Sequence, residues 1–269
     1  MPGLVAIGLL AGSFLASGGG SATGRSGLTS ARASRLVSAP GARRASRGVT
    51  AGIVANAERG RTIVYRTPGG SPPWRRFSNP TAQRTPLVFL VRERRGAWLR
   101  VLLPSRPNGS QGWIRADAVE LRSDPYAVRV ELARRRLVVF DANRVLLTAP
   151  IGLGRAATPT PAGLYYVTEL LRQPNPAGSY GPWAFALSAH SSVLSHFGGG
   201  DGQVGIHGTD DPSGIGHTVS HGCIRVRNAV IEHLAAILPL GTPVRILAGA
   251  RPIGTRSSSR RRKNGVSRS

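Results

Sequence analysis

From about Thr62 to Leu247 the chain is a series of short β-branched and aromatic runs cut by Gly, Pro and Asn, and only one segment holds a helical period. That pattern restricts the fold to a mainly β architecture. The runs 87–91 (LVFLV) and 98–103 (WLRVLL) flank a charged turn and predict a hairpin; Pro107-Asn108-Gly109 turns the chain toward 112–114 and 117–121. Three or four short strands closed by tight turns predict a small β-barrel over 58–122. Trp98 and Trp113 are expected as aromatics of its core, with direct ligand contact as the other reading. A second unit, 126–247, opens with a hairpin (128–132 and 137–140), continues through 145–149, and is punctuated by Pro159, Pro161 and Gly163 before 164–167. Residues 171–182 are Pro/Gly-rich and aperiodic, as in loops that cover sites. Strands are expected at 183–188 and 203–207. Asn228 is placed to cap a helix whose apolar positions are Val230, Ile231, Leu234, Ile237 and Leu238, stopping at Pro239 and Gly241. A last strand follows at 244–247.

Charge separates these units from the ends. The chain has 36 Lys+Arg against 12 Asp+Glu. Residues 1–57 contain six Arg and no acid, and 248–269 contain seven basic residues and no acid, whereas 126–247 is close to balance with ten Arg against seven acids. Such ends attract polyanions of any kind and do not choose among them. Residues 4–17 form an apolar run followed by small residues, which predicts a signal peptide within 1–24; it is too short for a membrane span. Residues 25–57 read as a flexible linker and 248–269 as a basic disordered tail. The expected location is outside the cell, in the wall, peripheral to a membrane at most.

The chain has one cysteine. In an exported protein it forms no internal disulfide, so its surroundings decide between an inert, a linking and a reactive thiol. Those surroundings are rich: 206–228 reads IHGTDDPSGIGHTVSHGCIRVRN, with His207, His217, His221 and Cys223 inside 17 residues. An imidazole within reach of a thiol supplies proton removal and a counter-charge. Gly222 lets the amides of 222 and 223 converge on an oxyanion. His221 shares a strand face with Cys223 if the segment is extended, but side chains two apart point in parallel; His207, from a separate strand end, can face the sulfur. The spacing alone leaves the base open.

The composite His207-Gly208-Thr209 with Ser220-His221-Gly222-Cys223-Ile224-Arg225 resembles the signature of the L,D-transpeptidase catalytic domain, and the resemblance runs over roughly 126–247, including 159–163 and the closing helix and strand. The segment ending in GWIRADAVEL resembles bacterial Src-homology-3-like wall-binding domains. Together these imply a mainly β chain, a Src-homology-3-like barrel followed by an L,D-transpeptidase β-sandwich-like domain with one packed helix. They imply Cys223 as nucleophile, His207 as base, the Gly208 carbonyl as the group orienting it, Ser220 and His221 as residues shaping the site, and Arg225 and Thr209 as substrate contacts. The implied reaction opens the bond between an L- and a D-centre of a peptidoglycan tetrapeptide stem, leaves a thioester and passes it to an amine as a 3→3 cross-link. No cofactor or metal is required, and carbapenems are expected to acylate the same sulfur. Expected partners are stem peptides, with wall polymers bound through barrel and tails; nucleic acid is not expected.

Other readings remain beside it. His207, His217, His221 and Cys223 are four N/S donors for zinc, although 221 and 223 lie too close for a familiar ligand spacing. A hydrolase centred on Ser220 lacks an elbow motif. Water as acceptor would give an L,D-carboxypeptidase, and an inactive site would leave a wall- or polyanion-binding protein.

Overall fold

The computed structural model describes residues 51–249 except Arg59, Ser71, Gly198 and Gly199. The expected signal peptide, most of the linker and the basic tail lie outside the described residues.

The first unit is larger than its turns suggest. Its strands are β1 (Gly52–Ala57), β2 (Gly60–Tyr65), β3 (Pro73–Asn79), β4 (Val88–Arg95), β5 (Trp98–Leu102), β6 (Gln111–Arg115) and β7 (Val119–Asp124). They form one seven-stranded sheet in the order β3-β2-β6-β5-β4-β1-β7. The sheet starts inside the expected linker, because β1 pairs along its whole length with β7. Among the described residues no ladder joins the edges β3 and β7, but the sheet curls on itself. Phe77 of β3 meets Phe89 of β4 at 5.7 Å, and the Asn79 side chain donates to the Ala57 carbonyl and accepts the Leu87 N–H, which gives a partly open barrel. Its core face carries Val64, Phe89, Leu99, Val101 and Ile114, all fully buried.

The two tryptophans lie on the opposite face. In the β5–β6 ladder Leu99 is opposite Ile114 in the core, which turns Trp98, Arg100, Trp113 and Arg115 outward. Trp98 meets Tyr65 edge-on at 5.3 Å, and the Arg95 guanidinium lies 5.1 Å from the Trp113 ring. Trp113 is buried, 6% exposed, under the guanidinium groups of Arg95 and Arg100, whereas Trp98 is only half-buried. The expectation of core aromatics holds for the buried Trp113 and is corrected for Trp98, which lies half-buried on the outward face.

Only Pro125 separates the units. The second contains β8 (Tyr126–Glu131), β9 (Arg136–Asp141), β10 (Arg144–Pro150), β11 (Leu153–Gly154), β12 (Gly163–Arg172), β13 (Trp183–His190), β14 (Gln203–His207), β15 (Thr218–Ser220), β16 (Ile224–Arg225), α1 (Asn228–Ile237) and β17 (Pro243–Leu247). Eight strands pair in the order β10-β9-β8-β17-β12-β13-β14-β16, and β11 pairs with β15. Helix α1 buries Ile231 and Leu234 against this sheet in a cluster that includes Val128, Val139, Phe185, Ile206, Ile224 and Ile246. It ends as predicted, with the Leu238 N–H on the Leu234 carbonyl before Pro239. Its cap differs: Arg227 occupies that position with no side-chain cap bond, and Asn228 is the first helical residue.

The units share an apolar seam of Val54, Val88, Leu90, Leu102 and Tyr166. Polar contacts flank it: Thr242 Oγ1 donates to Asp124 Oδ2 at 2.8 Å, and Arg122 donates to the Leu240 carbonyl.

Candidate active site

Strand alternation assembles the site. On β14, Val204 and Ile206 enter the core, so Gly205 and His207 face the other way. β16 runs parallel beside it, with Ile224 opposite Ile206 and Arg225 opposite His207. Cys223 enters this ladder next to Gly205, whose N–H points to Sγ at 3.5 Å. Cys223, Arg225 and His207 therefore converge, although 16 to 18 residues separate them in sequence.

His207 is 4% exposed, and its Nδ1 lies 2.6 Å from the Gly208 carbonyl oxygen. A carbonyl only accepts, so Nδ1 carries the proton and Nε2 keeps its lone pair. The Tyr180 ring lies at 4.6 Å from the imidazole. Asn228 completes this side: its Oδ1 accepts the Thr209 N–H at 2.8 Å. That tertiary bond explains why Asn228 is not the helix cap. Gly181 fits between them, since a Cβ there would come within 2.7 Å of the Gly208 Cα.

Burial pushes His207 down to about 4, with the Gly208 carbonyl opposing and Arg225 adding to the shift. Burial also pushes the Cys223 thiol up, while the Gly205 amide and Arg225 pull it back. Cys223 keeps part of its surface open to solvent, so burial acts on it less completely than on His207. Both directions favour neutral partners. Both shifts weigh against a standing thiolate–imidazolium pair.

A turn, not a strand, presents the sulfur. Gly222 has φ +123°, which side chains rarely adopt. Ser220 Oγ donates to the Cys223 carbonyl at 2.6 Å and accepts the Gly222 N–H at 3.1 Å. The Gly222 amide is thus committed to Ser220 and does not face an oxyanion, contrary to expectation; the Cys223 amide has no partner among the described residues. Thr158 Oγ1 donates to the Ser220 carbonyl at 3.2 Å and Thr160 Oγ1 to the Gly222 carbonyl at 2.9 Å. These two threonines, beside the Pro159–Gly163 turn, clamp the turn from outside; sequence reading missed them.

The remaining candidates separate by environment. His221 is exposed, with Phe197 at 4.9 Å from its ring, and does not share a strand face with Cys223. His217 is also exposed. Among the described residues no group of three or more His, Cys, Asp or Glu could hold a metal ion. Thr209 is buried, and its hydroxyl serves the Asp211 turn, donating to the Asp211 carbonyl and accepting its N–H, so it is not free to contact substrate. Arg225 Nε is buried with no partner. Tyr180 carried no signal as a site residue because it lies outside the Cys/His segment, and Asn228, which closes that segment, read as a helix cap.

A mainly β domain here sets an oriented imidazole at the end of one strand and a lone thiol in the turn that leads into its parallel neighbour. The L,D-transpeptidase catalytic domain (YkuD) matches residues 125–246. The chain is 40% identical over 122 residues to YkuD of Bacillus licheniformis, named an L,D-transpeptidase, covering 45% of this chain and 66% of that protein. It is 30% identical over 137 residues to YqjB of Bacillus subtilis, also named an L,D-transpeptidase, covering 47% of this chain and 73% of that one. A solved L,D-transpeptidase from Enterococcus faecium aligns at 24% identity and TM-score 0.36, over 46% of this chain and 50% of that one. The chain belongs to the L,D-transpeptidase family. The matched region stops at Pro125, so the first sheet lies outside it.

Proposed function

We propose that this chain is a cysteine-dependent L,D-transpeptidase acting on peptidoglycan stem peptides outside the cell. The observation that carries the reading is the fixed tautomer of His207, with its lone pair on Nε2, beside the turn that leads a thiol into the neighbouring strand.

With both partners neutral at rest, the proton moves during attack. Cys223 Sγ adds to the carbonyl of the bond joining an L- to a D-centre in a tetrapeptide stem, and its proton passes to His207 Nε2. The Cys223 N–H donates to the oxyanion. When the tetrahedral adduct collapses, the C–N bond breaks, His207 returns the proton to the departing D-alanine amine, and a thioester remains on Sγ. An acceptor amine then adds to the thioester, gives a proton to His207, and expels the thiolate, which regains that proton. One amide is broken and one made, so no nucleotide is consumed. With a neighbouring stem as acceptor the product is a 3→3 cross-link; with water it is the hydrolysed tripeptide. Arg225, opposite His207, carries a guanidinium of the kind that binds a substrate's terminal carboxylate. The barrel-like first unit and basic ends are proposed to hold the enzyme to anionic wall polymers.

The test is mass spectrometry of the full chain incubated with disaccharide-tetrapeptide. The expected result is an acyl adduct on Cys223 and a cross-linked dimer; the Cys223→Ala variant should give neither, nor any carbapenem adduct, while keeping its fold. An adduct surviving in that variant would sink the assignment.

A further inference from the structure

Residues 191–197 leave β13 and reach the site, and residues 200–202 lead into β14. Phe197 ends the first stretch, against His221, the residue that opens the nucleophile turn. A segment of this kind exposes carbonyls that must find donors. Its own chain supplies a few: Ser191 Oγ accepts the Val193 and Leu194 N–H groups, and Phe197 and Gly200 exchange both backbone bonds at 3.0 Å. Three of its carbonyls are satisfied from the other unit.

Arg106, in the turn between β5 and β6, donates through Nη1 to the Ser191 carbonyl at 2.7 Å, and through Nη2 to the Leu194 and Asp201 carbonyls at 2.7 and 2.8 Å. Ser191 and Leu194 precede Phe197 and Asp201 follows it, so one guanidinium ties both arms of the segment. Next to it, the Asn108 side chain brackets the end of β13, donating to the His190 carbonyl at 2.7 Å and accepting its N–H at 2.8 Å. The turn itself is braced, because Arg75 donates to Ser105 Oγ and to the Arg106 carbonyl. Gly202 has φ +78°, and a Cβ there would meet Arg106 Nη2 at 3.0 Å. His190 closes the base of the segment through Nε2 to Asp201 Oδ2 at 2.9 Å.

We propose that Arg106 is a positioning residue: from the first unit it fixes the segment that holds Phe197 against His221, and so sets one wall of the cleft leading to Cys223. The guanidinium suits the task because its planar donors reach three carbonyls in different directions; an ammonium is a point donor. The consequence for turnover rests on the transpeptidase reading, but the consequence for Phe197 does not.

The experiment uses the full chain with isotope-labelled histidine, the His221 ring resonances being assigned through His221→Gln. Phe197 stacked near His221 shifts those resonances by its ring current. Arg106→Ala should move them toward the values of a Phe197→Leu variant and leave those of His207 in place. Arg106→Lys, which keeps the charge, should fail to restore them. On a stem-tetrapeptide donor, Arg106→Ala should raise KM about tenfold with kcat within about twofold, the pattern of a lost binding wall. Iodoacetamide alkylation of Cys223 should keep its pH profile. An unmoved His221 resonance in Arg106→Ala overturns the proposal. So does a general shift of all histidines with a lowered melting midpoint, because Arg106 would then only support the fold. If the wild type turns over no tetrapeptide, the functional reading fails, and the His221 resonance still decides the role of Arg106.

Discussion

Two loops place an aromatic ring against a histidine of the same motif, with opposite results. Tyr180 covers His207, which is buried, oriented by Gly208 and pushed down to about 4. Phe197 covers His221, which stays exposed. The first loop is secured inside its own domain, through Gly181 against Gly208 and Asn228; the second is secured by Arg106 and Asn108 from the other sheet. A ring on an imidazole does not by itself make a base. Exclusion of water and a fixed tautomer do, and only the Tyr180 side provides both.

The contrast is broken most directly by deleting each imidazole. His207→Ala should lower the rate of Cys223 acylation by about 10²–10⁴-fold, as for a removed general base, whereas His221→Ala should lower it less than about tenfold. Stopped-flow acylation by a carbapenem measures both; equal losses would erase the distinction.

A pH series sharpens it. His207 stays neutral down to about 4, so the acid limb of acylation should fall near pH 4, well below the ordinary imidazole range. With the thiol raised, iodoacetamide alkylation should climb above neutral pH with no plateau between 4 and 8. Such a plateau would reveal a standing thiolate–imidazolium pair and contradict the neutral resting state.

Asn228→Ala tests the anchoring of the Tyr180 side. It strands the Thr209 N–H, an unsatisfied group worth about 1–3 kcal/mol, and should loosen the Gly208 carbonyl that orients His207. Chemical denaturation and kcat should both register the change; an unaltered kcat would detach Asn228 from the site.

The smallest effect concerns a carboxyl away from the cleft. Glu169 is 6% exposed, and burial raises it, with only Thr81 donating to Oε1 against that shift. A carboxyl raised in the folded state binds its proton more tightly there. Stability is therefore lost as pH rises from the unfolded carboxylate range through the folded value. Glu169→Gln should flatten this slope and be neutral or slightly stabilising at pH 7. Melting curves between pH 4 and 7 that keep the wild-type slope would show that another group carries it.

Much of the catalytic half was legible because its signals are local. Period-2 runs marked the strands, the 3.6 period marked α1, and the sole cysteine with three nearby histidines marked the site. What escaped was set by partners distant in sequence. The Asn228 side chain satisfies an N–H 19 residues upstream in place of its own helix end, and no local pattern distinguishes the two uses. Trp98 and Trp113 share the outward face of their strands, yet Arg95 and Arg100 bury Trp113 and leave Trp98 half-buried, a difference that alternation does not encode. The Gly222 amide turned to Ser220 because the segment is a turn with positive φ, a geometry the spacing left open. Arg106 reaches carbonyls 85 to 95 residues away, a pairing written only in the docking of two sheets.

That docking has a practical corollary for anyone dissecting the molecule. β7 ends at Asp124 and β8 begins at Tyr126, so the tether is one proline long and the sheets have no slack to swing apart. Cutting there would bare Tyr166, fully buried with Val54, Val88 and Leu90 lost from above it, and would open the Asp124–Thr242 bond. An excised 125–246 fragment is thus a sticky particle whose solubility depends on polar replacements along that face.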